Sequence, residues 1–587
     1  MVASISASRM TTTRSSAADT GATAANDRAS AAARETNRLD IRRYVIDSRQ
    51  PESVGRWSQR RRRAAALLLA ALLAAGCRPA TGPDTTANLH TDFGGAVVAD
   101  EPRAVTVARD VLAKGGSTAD AAVALYFTLA VTLPSEAGLG GGGICLIHDV
   151  TQRHTEVLDF LPRPAAHGGI SVPANARGMA ALHARYGRIR WQELLGEPES
   201  LARFGAPTSR ALAREMATAG DRLAQDPAVR AIFSRPDGKL RDEGEPMQQV
   251  ELASVIGAIR QQGAGALYSG TLAKTLSDGA TLMGATLTTE DLRVTLPQFR
   301  DAIRVVVGDR VVQFVPTPGG IIAAEMTAEL TGVVSYGATG ADERPHLFVE
   351  ASMRAFADRA GWLAPDGGMS RTAAELTSPE HARQLMTGYD PQRATPASAL
   401  NPPAVERPEN PWATSFLVAD AQGNAVACNL TMNDLFGTAR MVPGTGIILA
   451  PAPDARGIGA ISLTPVMMTS DGNGATYFVG AASGGPTAAT SIVGLLLDTM
   501  IEGQTLDQAM PAKRLHHGGA PDVVLHEEGI DPAILASLTK RGHQVAPAGI
   551  IGRTAAMACS PPTDKGVQAC GAKIDGRTDG LAQLLYK

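Results

Sequence analysis

The sequence predicts a mixed α/β protein, and three observations carry that prediction. From about residue 91 onward, strand-like and helical patterns alternate. A pair of glycines, Gly115 and Gly116, precedes a small-residue helix around 120–124, Pro134 breaks the helical pattern, and Gly140 to Gly143 lead into a short apolar strand. Small residues let a helix lie close to a sheet, and glycines let backbone approach backbone or ligand. Aromatic residues make up only 4% of the chain while Ala and Gly abound, which suits closely packed layers.

The elements follow in order. GAVVAD at 95–100 reads as a strand, and 103–114 as a helix ended by Gly115. TEVLDF at 155–160 is a strand and 175–186 a helix. Thr288 or Thr289, before Glu290 and Asp291, reads as a helix N-cap. Residues 389–413 form a Pro-rich linker without apolar period. Directly after it, 415–431 reads as a β-hairpin turning at Gln422-Gly423-Asn424. No fixed-period repeat interrupts this pattern.

With 587 residues the chain has ample length for a large core or two domains. Its net charge of −3 gives no electrostatic footprint for nucleic acid or a charged membrane surface. The N-terminal 1–59 reads as a disordered or mis-called extension, rich in Ser, Thr, Ala and Arg. Residues 60–77 read as a signal peptide: Arg60 to Arg63, then an apolar run too short to span a membrane, then LAAGC at 73–77. That ending is similar to a bacterial lipobox, so Cys77 is expected to carry lipid and anchor an exported protein, with 78–90 as a tether. The alternative is ordinary cleavage nearby, with Cys77 incidental. For an exported chain, Cys559 and Cys570 are expected to form a disulfide, and Cys145 and Cys428, in apolar runs, to be buried thiols. No spacing suggests a metal, and no cofactor is expected.

The stretch 111–147, with its GG-x3-DAAVA-x4-LAVT-x-P-x3-G-x-GGGG pattern, resembles the γ-glutamyltransferase (γ-glutamyl transpeptidase) family of N-terminal-nucleophile hydrolases. Further landmarks fall in the family's order: GMAALHARYGRIRWQELL at 178–195, ALYSG at 266–270, LTTEDL at 287–292, PTPGG at 316–320, FADR at 356–359, NDLFGT at 433–438, PGTGIIL at 443–449, SLTP at 462–465, ASGG at 482–485 and KRLHH at 513–517. The resemblance spans roughly 91–570. It implies a four-layer αββα sandwich, with 91–388 as the large-subunit-like part, 389–413 as a linker holding an autocleavage site, and 414–587 as the small-subunit-like part. The implied partner is a small amide or peptide, and the two fragments would stay associated after a cut.

In this family the precursor cuts itself before a Thr, whose hydroxyl then attacks while its own α-amine takes the proton. Two adjacent glycines hold the oxyanion, and Gly484 and Gly485 match them. Thr431 matches the supporting Thr of the hairpin, Asn433 a substrate-binding Asn, and Ser462 one of two carboxylate-binding Ser residues, with Ile461 in the other place. The nucleophile position itself falls on Ala413, which has no hydroxyl. Two readings compete: cleavage of the Ala413–Thr414 bond makes Thr414 the nucleophile, or the nucleophile is lost. Rescue by Thr414 must overcome the turn of a strand side chain to the opposite face.

Other groups depart as well. The family's Arg that pairs with the substrate carboxylate is replaced by Leu161-Pro162, and Arg163 stands two positions late between prolines. Of the acidic pair that holds the substrate amine, Asp454 remains and Ala455 replaces the second. His516 and His517 are adjacent and point apart, which argues against a metal. His183 and Tyr186 read as packing residues, Asp358-Arg359 as an ion-pairing segment, and Ser135 and Glu136 as cleft residues without a role. The first reading of function is therefore a γ-glutamyltransferase-like exported amidohydrolase or transpeptidase cut before Thr414; the alternatives are a non-cleaving binding protein of the same fold and an acylase-like relative acting on another amide.

Overall fold

The computed structural model describes residues 89–587 except 167, 365–368, 403–409, 454–462 and 564–566. Two antiparallel sheets form its centre. The first holds seven strands: β1 (Phe93–Ala99), β2 (Gly142–Asp149), β3 (His154–Phe160), β4 (Gln298–Asp301), β7 (Thr414–Asp420), β8 (Ala425–Thr431) and β13 (Leu581–Tyr586). Their spatial order is β13-β1-β7-β8-β2-β3-β4. The second holds six: β5 (Ile303–Val307), β6 (Arg310–Phe314), β9 (Val466–Ser470), β10 (Thr476–Ser483), β11 (Arg553–Cys559) and β12 (Cys570–Ile574), in the order β12-β11-β10-β9-β6-β5.

Three apolar clusters make these sheets into four layers. Val97, Phe416, Val418, Val426 and Leu158 pack outward against the helices Thr118–Thr132 and Asn175–Tyr186. Val98, Ile144, Leu146, Leu417 and Ala427 pack inward against Met467, Val479 and Met557 of the second sheet. Val312, Phe314, Phe478 and Ala556 pack outward against Pro318–Ala328, Arg344–Trp362 and Thr487–Met500. This is the αββα sandwich, with the period-2 alternation of each strand deciding which side chains meet which layer.

Local chemistry fixes the expected elements. Ser117 and Asp120 form a capping box that starts the all-buried helix Thr118–Thr132. Thr288 caps Thr289–Val294 in the same way with Asp291. The four-glycine run lets backbones close in: a Cβ on Gly141 would lie 2.3 Å from the Thr431 carbonyl oxygen, and one on Gly143 2.5 Å from that of Asn429.

The expectation of free thiols at Cys145 and Cys428 is corrected. They are bonded as a disulfide, as are Cys559 and Cys570. In each case the two cysteines are direct cross-strand partners, Cys428 opposite Cys145 on β8 and β2, and Cys559 opposite Cys570 on β11 and β12. The sequence hid the first pair because 283 residues separate its members. Among the described residues no helix is long and apolar enough to cross a membrane.

Candidate active site

The hairpin β7–β8 carries the centre of the site. Its register pairs Thr414 with Leu430 and Ser415 with Asn429. Ala413, Leu417 and Ala419 belong to the core between the sheets, whereas Phe416 and Val418 belong to the helix-side core. By the same alternation Ala413 and Ser415 face the core between the sheets, and Thr414 faces away from it.

The contacts agree. Ser415 Oγ accepts a hydrogen bond from Asn429 Nδ2 at 2.7 Å, and the same amide donates to the Ala482 carbonyl on the second sheet at 3.0 Å. Asn429 Oδ1 accepts from Thr464 N at 3.1 Å. Asn429 thus ties the hairpin to the strand end that leads into Ser483, Gly484 and Gly485. Sequence reasoning passed over it, although an Asn inside the apolar run AVACNLT was a usable signal. Thr414, fully buried, instead donates its hydroxyl to Asp100 Oδ2 at 2.9 Å. The same oxygen accepts from Ser415 N at 3.0 Å.

Thr431 ends β8, and Asn433 follows two residues later. Thr431 Oγ1 donates to the Trp412 carbonyl at 3.2 Å and accepts from Asn433 N at 2.9 Å. That carbonyl belongs to the Trp412–Ala413 bond, the one a cut before residue 413 would break. Asn433, at φ +58°, donates through Nδ2 to Ser171 Oγ (3.2 Å) and the Pro451 carbonyl (2.9 Å). Among the described residues its Oδ1 is buried without a hydrogen-bond partner, as are Thr464 Oγ1 and Ser483 Oγ. Unpaired buried polar atoms are costly.

Gly484 and Gly485 follow β10 at φ +121° and +64°. A Cβ on Gly484 would meet Gly552 Cα at 2.8 Å, so both backbone conformation and space demand glycine. Their carbonyls are taken by the next helix, through Thr487 Oγ1 at 2.7 Å and Ala488 N at 3.0 Å.

A buried ionic cluster borders Ala413. Arg553 Nη2 donates to the Ala413 carbonyl at 3.0 Å and to Glu136 Oε1 at 2.9 Å. Burial raises the Asp100 carboxyl, against the pull of Arg553. Burial likewise raises Glu136, and it pushes Glu215 well above the carboxylate range with help from Glu136. Burial works against the charge of Arg553, but Glu136, Asp100 and Glu215 together outweigh it and hold the guanidinium protonated. One cation thus balances three carboxyls that are reluctant to ionise.

Arg163 pairs with Asp159 at 2.7 Å, and Arg300 reaches the same carboxylate at 3.2 Å. Arg163 is half-exposed, and Leu161 packs on the core between the sheets. Ser462, Ile461, Asp454, Ala455 and Cys77 lie outside the described residues. His516 and His517 diverge as expected, toward Thr490 (3.1 Å) and Asp522 (3.3 Å).

Comparison with known proteins agrees with the geometry. The family model described as Gamma-glutamyltranspeptidase matches residues 104–168, 161–456 and 450–584. The chain is 27% identical over 517 residues to a glutathione hydrolase proenzyme of Escherichia coli K12, covering 80% of this chain and 88% of that protein. It is 28% identical over 536 residues to the acylase ACY 1 proenzyme of Pseudomonas sp. SE83, covering 83% and 91%. The crystal structure of cephalosporin acylase from Bacillus halodurans shares the fold, with a TM-score of 0.73 at 21% identity over 87% of this chain and 99% of that one. The chain belongs to the gamma-glutamyltranspeptidase family.

Proposed function

We propose that this chain keeps the amide-binding cleft of its family without the N-terminal hydroxyl, remains a single uncut chain, and binds a small amide or peptide. The observation that carries this is Ala413: it holds the cleft-facing position of the hairpin, beside Thr431 and the Asn429 tie, and has no atom that can attack. The unpartnered oxygens of Asn433, Thr464 and Ser483 support a polar ligand. The engaged Arg163 and the replacement at Ala455 argue against a γ-glutamyl head group, because its carboxylate and its amine each lose a charge partner.

A second reading keeps the family's chemistry: an amidohydrolase or acylase cut between Ala413 and Thr414. Its support is the contact of Thr414 with Asp100, which can take the hydroxyl proton, together with Arg553 on the Ala413 carbonyl, where an oxyanion would form. After such a cut, rotation about the Thr414 Cα–C bond would exchange amine and side chain between the two faces. A terminal residue has that freedom and an internal one does not.

Thermal-shift screening of the purified full-length chain against γ-glutamyl compounds and other small amides tests the binding reading. The expected result is stabilisation by a non-γ-glutamyl amide without turnover; release of product together with two fragments would favour the second reading. We also read the protein as exported and lipid-anchored through Cys77; the two disulfides, which persist in oxidising compartments, support the export alone.

A further inference from the structure

On the far side of the molecule, in the helix layer over the second sheet, three helices bring acidic and imidazole groups together. Glu325 lies on Pro318–Ala328, Asp358 on Arg344–Trp362, and His381 on Pro379–Leu385. One turn after Glu325, Glu329 opens a π-helical turn, Glu329–Val333. Such turns recur at functional sites.

Glu325 and Glu329 are both fully buried, and among the described residues none of their four carboxylate oxygens has a hydrogen-bond partner. The neighbouring cation, Arg354, is committed to Glu350 at 3.0 Å and Thr395 at 2.8 Å. His381 Nε2 lies 2.9 Å from Asp358 Oδ2 and 3.7 Å from Glu325 Oε1. Ligand atoms of the three residues all fall within 4.8 Å of one another. Metal–ligand distances of about 2.0–2.2 Å around a tetrahedral ion separate its ligand atoms by roughly 3.3–3.6 Å, so the observed spacing brackets that value.

We propose that Glu325, Asp358 and His381, with Glu329 alongside, bind a divalent first-row metal ion. A mixed carboxylate and imidazole set suits Zn²⁺ or Mn²⁺. The ion would bring positive charge to two buried carboxylates whose oxygens accept no hydrogen bond among the described residues. Asp358, 18% exposed at its side chain, gives the route in from solvent. Arg371 Nη2 stands 3.5 Å from His381 Nδ1 and would turn aside when the metal holds Nε2. The sequence offered no metal motif because the ligands come from three separate helices. A second trio, His346, Glu350 and His543, is less apt: His346 and His543 already bond each other at 2.8 Å, and Glu350 is held by Arg354 and by Thr395 N.

The test is calorimetric titration of the chelator-stripped full-length protein with ZnCl₂ and, separately, MnCl₂. Bound metal is counted by mass spectrometry after dialysis. One equivalent per chain is expected, together with a raised melting temperature. Glu325→Gln and the more exposed Asp358→Asn should each weaken binding by at least about 10–100-fold, and His543→Gln should leave it unchanged. No saturable binding in the wild-type protein, a measurement that requires no variant to fold, would overturn the proposal. So would one equivalent that survives both substitutions or that is lost with His543→Gln.

Discussion

The hydroxyl of Thr414 is bonded to the carboxyl of Asp100, at 2.9 Å, on the side of the hairpin away from the cleft. That one contact decides how the site reads. It agrees with the register at which residue 413, and not 414, looks across to the second sheet. Thr414→Val keeps the shape but removes the donor, leaving a buried carboxyl oxygen with one partner fewer. A loss of about 1–3 kcal/mol in stability is expected. Urea unfolding measures it, and an unchanged midpoint would argue against the contact.

The Cys145–Cys428 disulfide joins the two central strands β2 and β8. Replacing both cysteines with Ala should cost about 2–4 kcal/mol, chiefly by freeing the unfolded chain. Alkylation of the unreduced, denatured protein followed by peptide mass analysis checks the bond itself. Labelling at both positions would contradict it.

His516 is fully sequestered against Thr490 and the edge of the Phe356 ring, 5.2 Å between centroids. Burial first, and the neighbouring His517 second, lower its pKa to about 3. In the unfolded chain the ring takes up its proton near pH 6.5. Its contribution to stability is therefore complete above about pH 6.5 and is lost as the pH falls from there toward 3. Denaturation midpoints measured from pH 7 to 4 should fall with acidity, and His516→Gln should flatten that fall. An identical slope in the variant would assign the acid sensitivity elsewhere.

Much of this was legible in the sequence, and the reasons for the rest are physical. The hairpin, the N-cap at Thr288 and the Gly140–Gly143 approach are written in local residues, and local rules read them. Likewise the loss of a hydroxyl at Ala413 needed only counting from Asp420 and Gly423. What escaped is long-range. Arg553 reaches Glu136 from 417 residues away, Cys428 meets Cys145 across 283, and Asn429 looked like one more strand residue until its amide met Ala482. The Thr414 partner could not be named either, since Asp100 arrives from the residue just past β1, 314 positions earlier.

The claim that residue 413 is the nucleophile position, and that its Ala keeps the chain whole, is tested most directly by intact mass spectrometry. The wild-type protein and Ala413→Thr would be purified and incubated side by side. The account predicts one uncut mass for the wild type and, for Ala413→Thr, two fragments divided after Trp412. A wild-type chain already split between Ala413 and Thr414 would contradict it and restore Thr414 as the working nucleophile.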